Sequence, residues 1–206
     1  MERYWQIEKI NLKHNVPLHV LVCIVILGLS PLLMGVSNLE AQDTAKVLEM
    51  YAALIGIVML TPIFLPEQPV EIRELTSSKY MKSASVYLIR FIGNSLILAV
   101  FLTIYIAMLK NNSCEFPVVR YFLGTYVEML FMGGLGLFCY GLCDNLVIGY
   151  MIPILYYITA MGSGNKFLKL FYPFSMVTGS YKEKYVLIIA GTFLIAGGIA
   201  LRCRRK

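Results

Sequence analysis

Hydrophobic runs alternate with short polar breaks along this chain. They cover residues 16–36, 47–65, 86–109, 118–142, 146–161 and 185–201. A helix needs about 20 residues, within a range of about 17–25, to cross the hydrocarbon of a bilayer. The first four runs meet that length. The fifth is short and follows the fourth across the tight polar turn Asp144-Asn145. The sixth is marginal but ends in Arg202-Cys203-Arg204-Arg205-Lys206, a basic anchor. The pattern predicts an all-α integral membrane protein with six transmembrane helices in a single domain, residues 1–206.

Two segments do not fit simple spans. Residues 2–15, "ERYWQIEKINLKHN", mix Tyr4, Trp5, Ile7, Ile10 and Leu12 with charges. This predicts an N-terminal interfacial helix on the inner leaflet, with Trp5 at headgroup level. The stretch "KFLKLFYPFSMVTGSY", residues 166–181, is aromatic and apolar, too short to cross, and broken by Pro173. It predicts a re-entrant outer segment, residues 162–184, before the sixth span, its backbone covered by protein.

Composition agrees with a membrane class. The chain is 58% hydrophobic with a mean hydropathy of +0.71, above the 45–50% apolar content of soluble domains. A net charge of +6 in such a chain marks the cytoplasmic side, not a nucleic-acid partner. With the N-terminus inside, eleven of the 18 Lys and Arg residues face the cytoplasm, and both termini lie there. The last outer loop opposes this with Lys166, Lys169, Lys182 and Lys184. A five-span reading brings that loop inside but exports the basic C-terminus, so six spans are preferred. No small-residue cleavage site follows the first run, so a removable signal peptide is not expected.

Chemistry-bearing residues are sparse. The two histidines, His14 and His19, lie near the start of the first run, and no HExxH is present. Clustered metal ligands and a well-placed base for a nucleophile are both lacking, so an enzyme is not expected. "GSGNKF", residues 162–167, lacks the phosphate-loop spacing and no strand precedes it. No cofactor is therefore expected in this chain, and any ATP used would bind another polypeptide. The five cysteines, including Cys139 and Cys143 one helical turn apart, read as small apolar fillers.

Glu128 is the acid near the middle of a run. A charge at the bilayer centre costs about 2.5–3.5 kcal/mol even on mild insertion scales. It is a candidate pathway residue, or else a structural acid inside the bundle, with Asn94 a candidate polar neighbour. Small residues cluster in "MGGLGLFCYG", residues 132–141, and "AGTFLIAGGIA", residues 190–200, with small-xxx-small pairs Ala52/Gly56 and Ala196/Ala200. These predict close helix packing within the chain, and a seam between two chains is the alternative.

The densest charge lies in "LTPIFLPEQPVEIRELTSSKY", residues 60–80. Pro62 and Pro66 end the second span. Pro69 suits the first turn of a new helix, with Glu71 and Glu74 near its positive end. Lys79, Lys82 and Arg90 then anchor the third span. A loop serving topology alone is usually shorter and basic, so this one predicts a short cytoplasmic helix that docks a partner.

The six runs, the N-terminal helix and "PEQPVEIRELTSSKY" together resemble a type-2 ABC transporter permease, the exporter-type membrane subunit. The resemblance covers nearly the whole layout. It implies that the link between spans two and three is a coupling helix seated on a separate ABC ATPase subunit, through Glu67, Glu71, Ile72, Arg73, Glu74 and Leu75. It implies a second permease subunit, identical or not, with alternating access between them in the plasma membrane. The segment around "FYPF" resembles that family's re-entrant helices. The outer loops are far shorter than in larger members. The cargo implied is a peptide such as an antimicrobial, a lipid-like molecule or a drug. The competing expectation is a non-transporting immunity or sensor subunit that anchors a cytoplasmic partner.

Overall fold

The computed structural model describes residues 2–68 and 83–204, without the side chains of residues 2–5, 163, 165 and 166. The described residues form helices and turns and contain no strand. We number the helices α1 (Glu2–His14), α2 (Val16–Met34), α3 (Ala41–Glu67), α4 (Ser83–Asn111), α5 (Val118–Cys143), α6 (Leu146–Ser163) and α7 (Lys182–Arg204).

Five of these, α2, α3, α4, α5 and α7, are long and apolar enough to cross a membrane. At 1.5 Å per residue, the 26 residues of α5 reach about 39 Å, beyond the ~30 Å hydrocarbon. The 18 residues of α6 reach only about 27 Å, and Pro153 interrupts its hydrogen-bond ladder. Among the described residues the chain is thus a helical bundle of multi-pass membrane type, with five helices long and apolar enough to span and a sixth, shorter apolar one.

Successive helices run antiparallel, which gives the bundle two ends. One, the loop end, gathers the α2–α3, α4–α5 and α6–α7 connections. There Asn38 donates its backbone N–H to Asn112 O (2.9 Å), and the Tyr121 hydroxyl donates to Ala41 O (2.9 Å). The other, the termini end, gathers α1, the C-terminal end of α3, the α5–α6 turn and the last turn of α7. At that turn Asp144 takes a left-handed conformation (φ 53°), which Asp tolerates better than most residues. Asn145 then caps α6, its Oδ1 accepting from Val147 N at 2.9 Å.

Helix α3 is the central pillar. Of its apolar window 78% is enclosed, against 22% for α2. It is also irregular. A π-helical turn spans Leu48–Ala52 and a 3₁₀ turn spans Thr61–Glu67, where Pro62 and Pro66 fall. The π-turn opens the ladder, and Met50 O accepts the Tyr157 hydroxyl of α6 at 2.7 Å. Close backbone approach joins α3 to α5. A Cβ at Gly56 would lie 2.6 Å from Met129 Cα, and one at Gly133 would lie 2.5 Å from Gly56 O. Gly141 and Gly198 bring α5 and α7 together in the same way. Small residues drive such contacts where lipid supplies no hydrophobic force between helices. These glycines pack within the chain.

The outward faces are apolar. Leu18, Leu21, Leu32 and Leu33 on α2, Leu96, Val100 and Ile104 on α4, and Ile189 and Phe193 on α7 are exposed. Such continuous apolar surface suits lipid contact and not water. Helix α1 folds back onto α4. Asn11 is buried and donates to Asn94 Oδ1 at 3.5 Å, while Asn94 Nδ2 donates to Met59 O at 2.9 Å. Lys9, Ile10, Leu12 and Lys13 stay exposed. Asn94 therefore ties α1 and α3 to α4 and makes no bond to Glu128.

Candidate functional site

Two buried charge networks mark the two ends of the bundle. The loop-end network centres on Lys184, in the first turn of α7. Its Nζ lies 2.8 Å from Glu49 Oε1 and 2.8 Å from Glu128 Oε2, and donates to Pro173 O at 2.5 Å. Both carboxylates are fully buried and the lysine nearly so. Glu49 sits in the π-turn of α3. Glu128 follows Val118, the first residue of α5, by ten positions, so it lies about 15 Å along that helix. Lys184 meets it there because the preceding segment carries the chain inward before α7 begins.

That segment, residues 164–181, is described by its contacts. Glu49 accepts the backbone N–H groups of Met176 (2.9 Å) and Val177 (3.2 Å), which open a 3₁₀ turn over Met176–Thr178. A carboxylate satisfies the free donors at such a turn. Phe174, Ser175 and Met176 are buried, and the Phe174 ring meets Tyr157 edge-on at 5.3 Å. The Tyr156 hydroxyl donates to Phe171 O.

Carboxyl groups outnumber cations at this site. Two carboxylates share one ammonium, and Glu128 Oε1 finds no hydrogen-bond partner among the described residues. Thr125 Oγ1, one turn away, and Ser175 Oγ are in the same condition. The Tyr172 hydroxyl lies within reach of these groups. Its pKa is raised, first by burial and then by the charges of Glu49 and Glu128. A buried ion pair is held together mainly by the cost of leaving either charge alone. The lysine and the two acids therefore lock α3, α5, α7 and the segment into one unit.

The termini-end network centres on Arg202, which is 1% exposed. Its guanidinium pairs with Asp144, donates through Nη2 to Glu67 O at 3.1 Å, and lies 5.8 Å from the ring centroids of both Phe64 and Tyr140. Arg90 of α4 approaches Glu67 Oε1 at 3.2 Å and donates to Ile63 O at 3.3 Å. The end of α3 is thus held by α4 on one side and α7 on the other.

The expected partner-contact residues divide. Glu67 is buried at 2% exposure and engaged by Arg90, so it joins α3 to α4 and does not stand on a free surface. Glu71, Ile72, Arg73, Glu74 and Leu75 lie outside the described residues. Glu128 is enclosed by Lys184 and does not stand open. Sequence reasoning missed Glu49 and Lys184 as site residues. Glu49 carried the same signal as Glu128, an acid inside an apolar run, but stood near the edge of that run. Lys184 was counted only as a loop charge. Among the described residues no group of three His, Cys, Asp or Glu side chains converges as a metal site would require. No protein-family model, curated protein or solved structure matches the chain.

Proposed function

We propose that this chain is the membrane-spanning permease subunit of an ABC transporter, driven by a separate ATPase subunit and paired with a second permease subunit. The supporting observation is the mounting of the link between α3 and α4. Its entry, Glu67, is held through its carboxylate by Arg90 of α4 and through its carbonyl by Arg202 of α7. A push on residues 69–82 is therefore delivered to three helices together. In this reading the termini end is cytoplasmic, the link holds the coupling helix, α1 lies in the inner interface, and residues 164–181 are the re-entrant outer segment. The membrane is the plasma membrane.

The decisive experiment is co-purification with an ABC-type ATPase subunit, with ATP hydrolysis measured in lipid. Stimulation should be lost in Glu71→Arg plus Glu74→Arg while expression and insertion persist. Failure to associate with any such ATPase would sink the reading. Cysteines placed at Lys166 and Lys79 should label from opposite faces, and labelling from one face would refute the topology.

The enclosure of Glu128 favours a second reading, in which the chain anchors a partner without moving cargo. ATPase stimulation separates the two, being present in the permease and lacking in an anchor. Glu128→Gln tests the acid itself: altered transport or cargo-stimulated hydrolysis with the complex still assembled makes it a pathway residue, and unchanged transport across cargoes makes it structural.

A further inference from the structure

We propose that residues 165–178 form a hinged strap over the loop end, fastened shut by Glu49 and Lys184 and able to open as a unit. Both ends of the strap have hinge geometry. Gly164 (φ 62°) and Gly179 (φ 75°) occupy the left-handed region with open space around them, where glycine turns without strain. Between them Phe167, Leu170 and Phe171 are exposed, and among the described side chains the buried part is confined to Pro173, Phe174, Ser175 and Met176.

The fastening is made by charges of the bundle gripping the strap's main chain. Glu49 holds the Met176 and Val177 N–H groups, Lys184 holds Pro173 O, and the two are joined at 2.8 Å. An ordinary packed loop satisfies its main chain with its own turns or with helix backbone. Here the attachments at Pro173, Met176 and Val177 depend on two side chains that grip each other, and the Tyr156 hydroxyl of α6 adds one neutral bond at Phe171 O. Glu128 pairs with Lys184. It steadies the bolt without closing the strap, and with Glu49 it gives the ammonium a place to remain when Pro173 leaves. The apolar plug is Met176, seated against the bare Cα of Gly124, a contact that separates without breaking a hydrogen bond. The strap's use as an outward gate rests on the permease reading. Its fastening does not.

The test is cysteine accessibility in nanodiscs on the full chain carrying Ser175→Cys. A hydrophilic maleimide is added and the label assigned by peptide mass spectrometry, so native cysteines are scored separately. Position 175 should be protected in the parent. Lys184→Met and Glu49→Gln should each accelerate its labelling about 10- to 100-fold, the factor carried by one charge-assisted hydrogen bond. Cys23, buried in α2, should stay unlabelled in both variants. The two fastener variants ask the same question independently, so either one that inserts suffices. An unchanged rate overturns the proposal, as does parallel exposure of Cys23, since the strap would then not open alone. In complex with the ATPase, position 175 should change its labelling between nucleotide-free and ATP-trapped states. Constant labelling with intact ATPase stimulation overturns the gate role and leaves the permease reading standing. Failure to bind an ATPase removes the permease reading and leaves the strap.

Discussion

Replacing Arg202 by methionine tests how the termini end is held. Methionine keeps the length and apolar stem but removes the pair with Asp144, the donor to Glu67 O and the cation lying beside Phe64 and Tyr140. Breaking a fully buried ion pair costs about 3–5 kcal/mol. The Asp144 side chain is 28% exposed, so water replaces part of the lost interaction and the lower bound applies, about 3 kcal/mol. For a chain of this size 1 kcal/mol moves the melting temperature by about 2–4 °C, giving a drop of about 6–12 °C. Two native thiols make the assay direct. Cys23 and Cys114 are buried and react with a thiol-sensitive fluorophore only as the bundle opens; with Cys139, Cys143 and Cys203, which are exposed or half-buried, replaced by serine in parent and variants alike, a thermal ramp in detergent reports unfolding. Arg202→Lys should fall between, because a single ammonium cannot reproduce the fork that reaches Asp144 and Glu67 O together. Arg204 is exposed, and Arg204→Met should stay within about 0.5 kcal/mol of the parent. A melting temperature for Arg202→Met within 2 °C of the parent, or an equal loss for Arg204→Met, would refute the reasoning, taking ~2 °C as under 1 kcal/mol.

Further outcomes concern other parts of the bundle. Gly56→Ala should separate α3 from α5, because the added carbon meets Met129 main chain. A loss of at least about 1–3 kcal/mol in the same thermal ramp is expected, and an unchanged melt would show that the crossing relaxes freely. Burial raises the pKa of Glu8 on α1, while Asn11 and Arg90 lower it. Because the docked carboxyl binds its proton more tightly than a free one, α1 docking is strongest at acid pH. It should weaken as pH rises through and above the usual carboxylate range. Fluorescence of Trp5, the only tryptophan, should follow that titration. The same titration in Glu8→Gln would point to another group. Lys184→Met combined with Glu128→Leu should melt above Lys184→Met alone, because the pair of changes removes one of two buried acids left without a cation. Thermal unfolding of the two variants checks it.

Helix positions were legible from hydropathy because lipid-facing and core-facing residues are both apolar, so each span reads as one run. The start of α3 was not. Its first turns, 41–46, carry Gln42 and Asp43, which are exposed at the loop end, and the half-buried Lys46, and helix continues through polar sequence once it leaves the hydrocarbon. The 3₁₀ ending at Pro62 and Pro66 followed from proline's missing N–H. Glu128 was legible as an acid with no business in lipid, whereas its partners were not. Lys184 is 56 residues away in sequence, and nothing in a one-dimensional pattern shows that the chain dips before α7 and delivers a loop lysine to the middle of α5. Asn94 had the right polarity and the wrong neighbour, since helix rotation is set by packing and not by composition.

Both networks draw their central cation from the same helix: Lys184 opens α7 and Arg202 closes it. During synthesis α7 follows the other six helices out of the ribosome. Until it arrives, Glu49 and Glu128 must wait in the membrane without the ammonium that neutralises them. A chain stopped before residue 182 is thus left with uncompensated acids within its membrane helices, a mark by which a quality-control protease could tell it from the finished protein. Helix α7 thus acts as a signal, written in charge, that the partners of both networks have arrived.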